Sequence, residues 1–188
     1  MALEASKLVI PFTGELFIAP AGTTMPADHA AVLPAAWVGC GYTTEDGPTF
    51  GVDTSVVGIR AWQSRSEIRR VLESIDHSVS MQLLQWSAHN LRLAFGGGTV
   101  STISAGKFKF VFPKDTDALP EFAAILQFQD GSKVYRLCYQ RVTPADGGET
   151  TLSSTEPGSL DLSLAAMTPT DGETAYLLTN DPAFSTGS

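Results

Sequence analysis

The sequence predicts a mainly β protein, an antiparallel β-sandwich or flattened barrel with one short α-helix and extended arms or loops. Three observations support this fold class. Several segments alternate apolar and polar residues with a period of two, which is typical of half-buried antiparallel strands. The 17 glycines and 11 prolines provide many turns. A single segment carries both a helix start and a helix stop signal.

The composition fits one folded domain spanning residues 1–188. Hydrophobic residues make up 43% of the chain and charged residues 17%, so a core can form and disorder of the whole chain is excluded. The net charge of -8 disfavours a nucleic-acid-binding protein, because affinity for phosphate comes mainly from clustered Lys and Arg. Basic side chains are concentrated in residues 61–112, which we expect to meet an acidic surface on another copy.

The first 70 residues are predicted to form an arm, loops and one strand. An acidic residue and a proline interrupt the apolar residues of segment 1–12, which predicts an N-terminal arm and no signal peptide. Residues 20–36 and 61–69 lack periodicity, so we expect long loops there, and long loops are often functional. Residues 37–70 are therefore assigned to long contact loops and a weak strand, Phe50–Val56.

A strand and a short helix are predicted next. Apolar and polar residues alternate from Glu73 to Leu83, which predicts a half-buried strand. Ser87 is suited to cap a helix that runs to Phe95, and Gly96 is suited to the left-handed residue that ends it. Because the apolar side chains of this two-turn helix share one side, we expect the helix to cover an open end or edge of the sheets.

A β-hairpin is predicted around Asp130 and Gly131, since Asp-Gly supplies the positive φ angles of a two-residue type I′ turn. With Asp130 and Gly131 as the two turn residues, Leu126 pairs with Tyr135, and one face of the hairpin is almost wholly apolar. The opposite face is expected to be largely polar. Its polar residues are Gln127, Gln129, Ser132 and Gln140.

The same alternation predicts strands at Phe108–Phe112 and Leu160–Leu164, and a weaker one at Ala175–Leu178. Residues 144–157 are predicted to form a long loop, and residues 180–188 a C-terminal tail. With these assignments, the predicted protein consists almost entirely of strands and loops.

The sequence holds no recognisable catalytic, metal-binding or cofactor-binding set. The run Gly96-Gly97-Gly98 follows a helix and precedes no Lys-Ser or Lys-Thr, so it predicts a helix stop and not a phosphate loop. None of the three histidines has a second histidine two or four residues away. We therefore expect no enzyme activity, no metal and no cofactor. Cys40 and Cys138 are predicted to be reduced and buried.

The tryptophans have the largest side chains of the protein. Trp86 directly follows the strand at 73–83 and is predicted to pack in the core. Trp62 lies in a predicted loop near Arg65 and Arg69, where an interface anchor and core packing are equally expected, since Trp and Arg are enriched at interface hot spots.

One set of motifs runs through most of residues 37–141. It consists of Trp37, Gly39, Gly41-Tyr42-Thr43, Glu45-Asp46-Gly47, the strand ending in Gln85-Trp86, Asn90-Leu91, Gly96-Gly97-Gly98, Asp130-Gly131-Ser132 and Tyr135-Arg136-Leu137. In this combination the chain resembles the major tail protein, or tail tube protein, of long-tailed siphophages, particularly those of actinobacterial hosts.

The resemblance implies a structural virion protein that forms hexameric rings, stacked head to tail into the tail tube through which genomic DNA is ejected. It implies as partners other copies of the chain and other tail proteins, such as tape measure, distal tail and terminator proteins. Double-stranded DNA would pass transiently and non-specifically. No membrane partner is expected, because no stretch of the sequence approaches the roughly 20 apolar residues that a membrane helix needs. The protein is then expected in the virion tail, after assembly in the host cytoplasm.

Two sets of residues are candidates within this hypothesis. The candidate inter-subunit contacts are Trp37, Tyr42, Glu45, Asp46, Trp62, Arg65, Arg69 and Arg70. The candidate lumen-lining residues are Gln127, Gln129, Ser132 and Gln140, or else Asp76 and Ser78 with their polar strand neighbours. Net acidity would keep such a lumen from gripping the phosphate backbone of DNA.

Two other interpretations remain open. A non-catalytic β-sandwich binding or adhesion module would stack Trp62 and Tyr42 on sugar rings, and it predicts a stable monomer. A tube protein of a contractile or secretion system is also compatible, because tube folds share architecture without shared motifs.

Overall fold

A computed structural model describes residues 7–114, 118–145 and 147–185. Of the segments predicted above, residues 1–6 of the arm, 146 of the loop and 186–188 of the tail lie outside this range. The elements are β1 (Thr13–Pro20), β2 (Val38–Gly39), β3 (Thr49–Ala61), β4 (Ser64–Leu83), α1 (Ala88–Ala94), β5 (Thr99–Ser104), β6 (Lys107–Val111), β7 (Phe122–Asp130), β8 (Lys133–Pro144), β9 (Thr150–Thr151), β10 (Ser159–Ala166) and β11 (Ala175–Thr179), followed by a short 3-10 turn at Pro182–Phe184.

The main sheet is antiparallel and curls into a flattened barrel, which confirms the predicted fold class. Its strands are ordered β2-β1-β7-β8-β10-β4-β3, while β11 pairs with β8 and β9 pairs with β10. Thr43, in the segment after β2, forms an antiparallel bridge with Leu83 at the end of β4. That bridge links one end of the strand order back to β4, so the sheet closes on itself.

The barrel encloses the larger of two hydrophobic cores. Alternate residues of β4 and β10 point inward, as their sequence pattern predicts, and meet inward residues of β1, β7 and β8. The helix α1 adds Leu93 and Ala94 at one end. The buried members are Leu16, Ile18, Cys40, Val79, Met81, Leu83, Leu93, Ala94, Ala124, Leu126, Tyr139, Val142, Leu160, Leu162 and Leu164.

A second, smaller core lies on the other face of β7 and β8, where the sequence predicted a largely polar surface. That expectation is wrong for the middle of the hairpin, since Ile125 and Cys138 have no exposed surface. Residues 21–37 cross this face and cover it with Trp37, assisted by Met25 and Leu33. The alternation of residues within a strand does not show whether a distant connecting segment covers the second face of the sheet.

The hairpin of β7 and β8 has a register two residues away from the predicted one. Asp130 pairs with Lys133, so the turn residues are Gly131 and Ser132. Gly131 has a φ of 57° and supplies the positive φ that the turn requires. A shift of two residues keeps every side chain on its predicted face, which explains why the face pattern was right and the turn position was wrong.

The long loop predicted at 61–69 is not a loop. β3 and β4 continue as a hairpin to a two-residue turn at Trp62 and Gln63, with Ala61 paired to Ser64. The predicted strands at 50–56 and 73–83 are parts of these longer strands. Apolar and polar residues do not alternate cleanly in this segment, because both faces of the hairpin carry apolar residues.

The predicted helix is confirmed together with both of its ends. The backbone N–H of Asn90 donates to the Oγ of Ser87, the N-cap residue, at 3.1 Å. Gly96 has a φ of 67°, and the N–H groups of Gly96 and Gly97 donate to the carbonyls of Leu93 and Arg92. These two bonds form a Schellman motif, so the glycine run ends the helix.

Two further features complete the fold. β5 and β6 form a separate two-stranded sheet, joined to the helix by an edge-to-face contact of Phe112 with Phe95 at 5.0 Å.

Trp86 was expected in the core but is half exposed, and its indole N–H donates to the carbonyl of Gly158 at 2.9 Å. Within the described residues, no helix is both long enough and apolar enough to cross a membrane.

Candidate assembly surfaces

The β3–β4 hairpin leaves the barrel as a two-stranded ribbon. β10 pairs only with residues 78–83 of β4, so the rest of β4 has β3 as its paired strand. At about 3.3 Å per residue, the twelve residue steps from Phe50 to Trp62 extend roughly 40 Å. The ribbon is thus at least as long as the barrel strands β1, β7 and β10.

The two faces of the ribbon differ near the barrel. Phe50, Val52 and Ile75 share the face that continues the barrel interior. The opposite face is polar, and on it Asp53 pairs directly with Asp76. The members of this polar face are Thr49, Gly51, Asp53, Ser55, Ser74, Asp76, Ser78 and Ser80.

Register shifts in the outer half make both faces apolar. The register changes between Ser55 and Val56, and beyond this β-bulge Val56 pairs with Leu72 on one face and Val57 with Val71 on the other. All of these side chains are exposed to solvent. The exposed apolar residues of the ribbon are Phe50, Val52, Val56, Val57, Ile59, Trp62, Ile68, Val71, Leu72 and Ile75.

The ribbon tip, residues 60–70, carries the basic charge that the sequence analysis placed in a loop. Trp62 is 99% exposed at the turn. Glu67 pairs with the guanidinium of Arg70 at 2.7 Å and lies 3.8 Å from that of Arg60. Arg65 and Arg69 are exposed beside them, which leaves the tip with a strong positive charge.

Three predicted contact residues lie together at the opposite end of the ribbon. Tyr42, Glu45 and Asp46 line a cleft of about 820 Å³ at the mouth of the barrel, which we call the aromatic cleft. Its lining residues are Pro11, Phe12, Thr13, Gly14, Glu15, Gly41, Tyr42, Thr43, Thr44, Glu45, Asp46, Gly47, Pro48, Phe50, Gln85, Leu126 and Phe128. The described residues that line it include three acidic side chains and no Lys or Arg.

Trp37 does not belong with the other predicted contact residues. It is 7% exposed and packs with Ile125 and Cys138 in the smaller core. Tyr42, Glu45 and Asp46 of the same segment are exposed instead. Trp37 is therefore corrected from a contact residue to a core residue that holds residues 21–37 in place.

The candidate lumen residues fall into two separate places. Asp76 and Ser78 lie on the polar face of the ribbon. Gln127 lies on the β7 face that residues 21–37 cover, where it accepts a hydrogen bond from Nε of Arg136 at 2.7 Å. Gln129 and Ser132 are exposed near the hairpin turn, and Gln140 is half-buried. The structure thus does not bring the two sets together.

The two cysteines are buried and unpaired with each other, as predicted. Burial raises the pKa of the Cys40 thiol to about 12 and that of the Cys138 thiol to about 11. Both thiols are therefore protonated at neutral pH and poorly reactive. Across 7–114, 118–145 and 147–185, no three His, Cys, Asp or Glu side chains lie close enough together to hold a metal ion.

Sequence analysis missed the aromatic lining of the cleft. Phe12, Phe50 and Phe128 are distant in the sequence and meet only because β1, β3 and β7 end at the same mouth of the barrel. The exposed apolar residues of the ribbon had a detectable signal: the β-branched run from Val52 to Ile59 has high strand propensity.

The fold and these surfaces define a class: an antiparallel β-barrel protein with a long projecting ribbon, a basic tip and an acidic, aromatic cleft. The chain belongs to the phage tail tube protein family, which matches residues 1–187. It is therefore a structural component of a virion tail, as the resemblance in the sequence implied. No curated protein sequence matches the chain.

Two solved structures are also similar in outline. One is the virion of a native gene transfer agent particle, with 11% sequence identity, 88% of this chain and 95% of that chain covered, and a TM-score of 0.42. The other is the tail of an empty gene transfer agent particle, computed with helical refinement in C6 symmetry, with 10% identity, coverage of 89% and 96%, and a TM-score of 0.40.

Proposed function

We propose that this chain assembles into hexameric rings that stack head to tail into a tail tube, the conduit through which genomic DNA is ejected. Membership of the tail tube family supports the tube. The resemblance of the sequence to siphophage tail proteins implies six copies per ring. The observation that carries the proposal is the ribbon with its exposed apolar side chains on both faces.

The ribbon favours assembly because it exposes a long stretch of apolar side chains. An isolated two-stranded hairpin is marginally stable in water, and the apolar residues of this one lie in solvent. Contiguous exposed apolar surface of this kind marks a protein interface. Neighbouring copies would cover the apolar outer half of the ribbon and pair with the edge of β3, so that the strands of several copies join into one wall.

The polar face of the ribbon suits a lumen better than the β7–β8 face does. Residues 21–37 cover much of the β7–β8 face, whereas Asp76 and Ser78 lie on a face built from serine, threonine, glycine and aspartate. Asp53 and Asp76 give that face a negative charge, and no Lys or Arg belongs to it. Such a surface repels the phosphate backbone and lets DNA slide.

The same proposal gives the partners and the place of assembly. The chain would bind copies of itself first, then the proteins that end or fill a tail, such as terminator, distal tail and tape measure proteins. Assembly would take place in the host cytoplasm, without catalysis and without a cofactor.

Negative-stain electron microscopy of the purified protein tests the proposal. We expect rings or tubes with six-fold end views for the wild type. The double variant Val57→Asp with Val71→Asp places two charges opposite each other on one face of the ribbon. It should form neither rings nor tubes, while circular dichroism still shows a folded barrel. Val32→Asp is the matched control, since Val32 is exposed away from the ribbon. Uniform monomers of wild type at high concentration would contradict the proposal and favour the binding-module alternative.

A further inference from the structure

We propose that the ribbon tip of one copy docks into the aromatic cleft of a second copy. This inference deepens the proposed function and depends on it, because it names the two surfaces that meet within the tube. The partner is another copy of this chain, and the contact combines an aromatic anchor with paired charges.

The tip has the chemistry of an interface anchor. Trp62 stands at the turn with 99% of its side chain in solvent, although burying an indole is strongly favourable. Arg65 and Arg69 are exposed on the same tip, while Glu67 is already engaged by Arg60 and Arg70. Tryptophan and arginine are the residues most enriched at interface hot spots.

The cleft offers the complementary chemistry. Leu126 is buried at its inner end and Phe128 is half-buried, while Phe12 and Tyr42 expose aromatic surface in its outer part. Its volume of about 820 Å³ leaves room for an indole together with parts of its neighbours.

The acidic side chains of the cleft match the charge of the tip. Glu45 and Asp46 are exposed, and Glu15 also lines the cleft. Because no Lys or Arg is present among its described lining residues, the acidic side chains give the lining of the cleft a negative charge. Complementary charges of this kind steer association and set the register of a contact.

The tip cannot reach the cleft of its own chain. Phe50 lines that cleft, and Trp62 lies twelve residues further along an extended ribbon, about 40 Å away. The antiparallel pairing of β3 with β4 keeps the ribbon extended along this length. The occupant of each cleft must therefore come from another copy.

The contact joins two different patches of the same chain. After one such heterologous contact, the first copy still has its cleft available and the second copy still has its tip, so the contacts close into a ring or propagate along a fibre. Both outcomes fit a protein of stacked rings. A monomeric binding module would have no use for a tip and a cleft that complement each other.

Disulfide trapping tests the proposal directly. A tagged Gln63→Cys chain is mixed with an untagged Thr44→Cys chain, assembled and mildly oxidised, and the products are separated by mass. We expect one covalent heterodimer, because Gln63 is at the tip and Thr44 lines the cleft. Gln63→Cys mixed with Val32→Cys is the matched control and should give little product. Cross-links of Gln63→Cys mainly to itself or to Val32→Cys would overturn the docking.

Charge exchange tests the same contact without cysteine. Arg65→Glu with Arg69→Glu, or Glu45→Arg with Asp46→Arg, should each raise the critical concentration for assembly at least about tenfold, and mixing the two variants should restore assembly. Lys107→Glu with Lys109→Glu, on the separate β5–β6 sheet, should change it little.

The outcomes separate this proposal from the proposed function. If wild type forms tubes, but the mixed charge variants do not recover and the heterodimer is absent, the docking is wrong and the tube remains. If wild type forms neither rings nor tubes, both proposals fail.

Discussion

The hydroxyl of Tyr135 donates a hydrogen bond to Oδ2 of Asp181 at 2.5 Å. The ammonium of Lys133 lies 3.1 Å from the same oxygen, and the other oxygen accepts from the backbone N–H of Ala183 at 2.9 Å. Asp181 is 6% exposed. The carboxylate of Asp181 thus helps to hold the start of the predicted C-terminal tail against β8.

Asp181→Asn is expected to destabilise the fold at neutral pH. The hydrogen bond from Tyr135 is the main cause that lowers the pKa of Asp181 below 3.8. Because the folded-state pKa lies below the unfolded-state value, the stabilisation is present above that value and is lost as the pH falls through the folded-state pKa. Urea unfolding at pH 7 should therefore show a lower midpoint for the variant than for the wild type. Below about pH 4 the two midpoints should approach each other. Asp171→Asn, at an exposed position, should match the wild type throughout.

Alkaline pH is expected to destabilise the protein through three tyrosines. The bond to Asp181 raises the pKa of Tyr135 to about 12, and burial raises those of Tyr139 and Tyr176 to about 12. Since these folded-state values exceed the model-compound value of 10.0, the stabilisation is complete below pH 10 and declines as the pH rises toward 12. Thermal melting followed across this range should show a steadily falling midpoint. A midpoint constant to pH 12 would contradict the burial of Tyr139.

Asn90→Ala is expected to cost about 1–3 kcal/mol of unfolding free energy. The Nδ2 of Asn90, which is 2% exposed, donates to the carbonyls of Cys40 at 2.9 Å and Gln85 at 2.8 Å. Its removal leaves two carbonyls without this donor and frees the helix from the segment beside β2. Urea denaturation measures the change. Arg92→Ala, on the exposed side of the same helix, should stay within about 0.5 kcal/mol of wild type.

Arg136→Met is expected to release residues 21–36 from the barrel. The buried guanidinium donates through Nη1 to the carbonyls of Ala31 at 2.7 Å and Asp28 at 3.1 Å. Hydrogen bonds to charged groups contribute about 1.5–3 kcal/mol, so exchange protection in this segment should fall by about tenfold or more. Hydrogen–deuterium exchange with mass spectrometry measures this, and Trp37 emission should shift to longer wavelength. Arg141→Met, which breaks an exposed pair with Glu121, should leave both signals unchanged.

The strand faces were predictable because burial repeats every second residue. Val79, Met81 and Leu83 point into the barrel as their alternation predicts, and they meet Leu160 and Leu164 of β10. The register of the β7–β8 hairpin was not predictable from that signal, because a shift of two residues leaves the same side chains on the same faces.

The two tryptophans of the predicted contact set show what the sequence leaves open. Trp37 is 7% exposed and Trp62 is 99% exposed, although both lie in stretches predicted as loops. Burial of Trp37 depends on β7 and β8, about ninety residues later in the chain. Exposure of Trp62 depends on the length of the ribbon that carries it.

By itself, the sequence determined the mainly β fold, the capped helix and the two buried thiols, since each of these follows from local spacing or residue type. Its motifs also indicated the tail tube family. Only the tertiary structure decided that residues 21–37 cover a second core, that β3 and β4 form a projecting ribbon, and that Phe12, Tyr42 and Phe128 share one cleft. These features join segments distant in the chain, and long-range packing is not encoded in any local period.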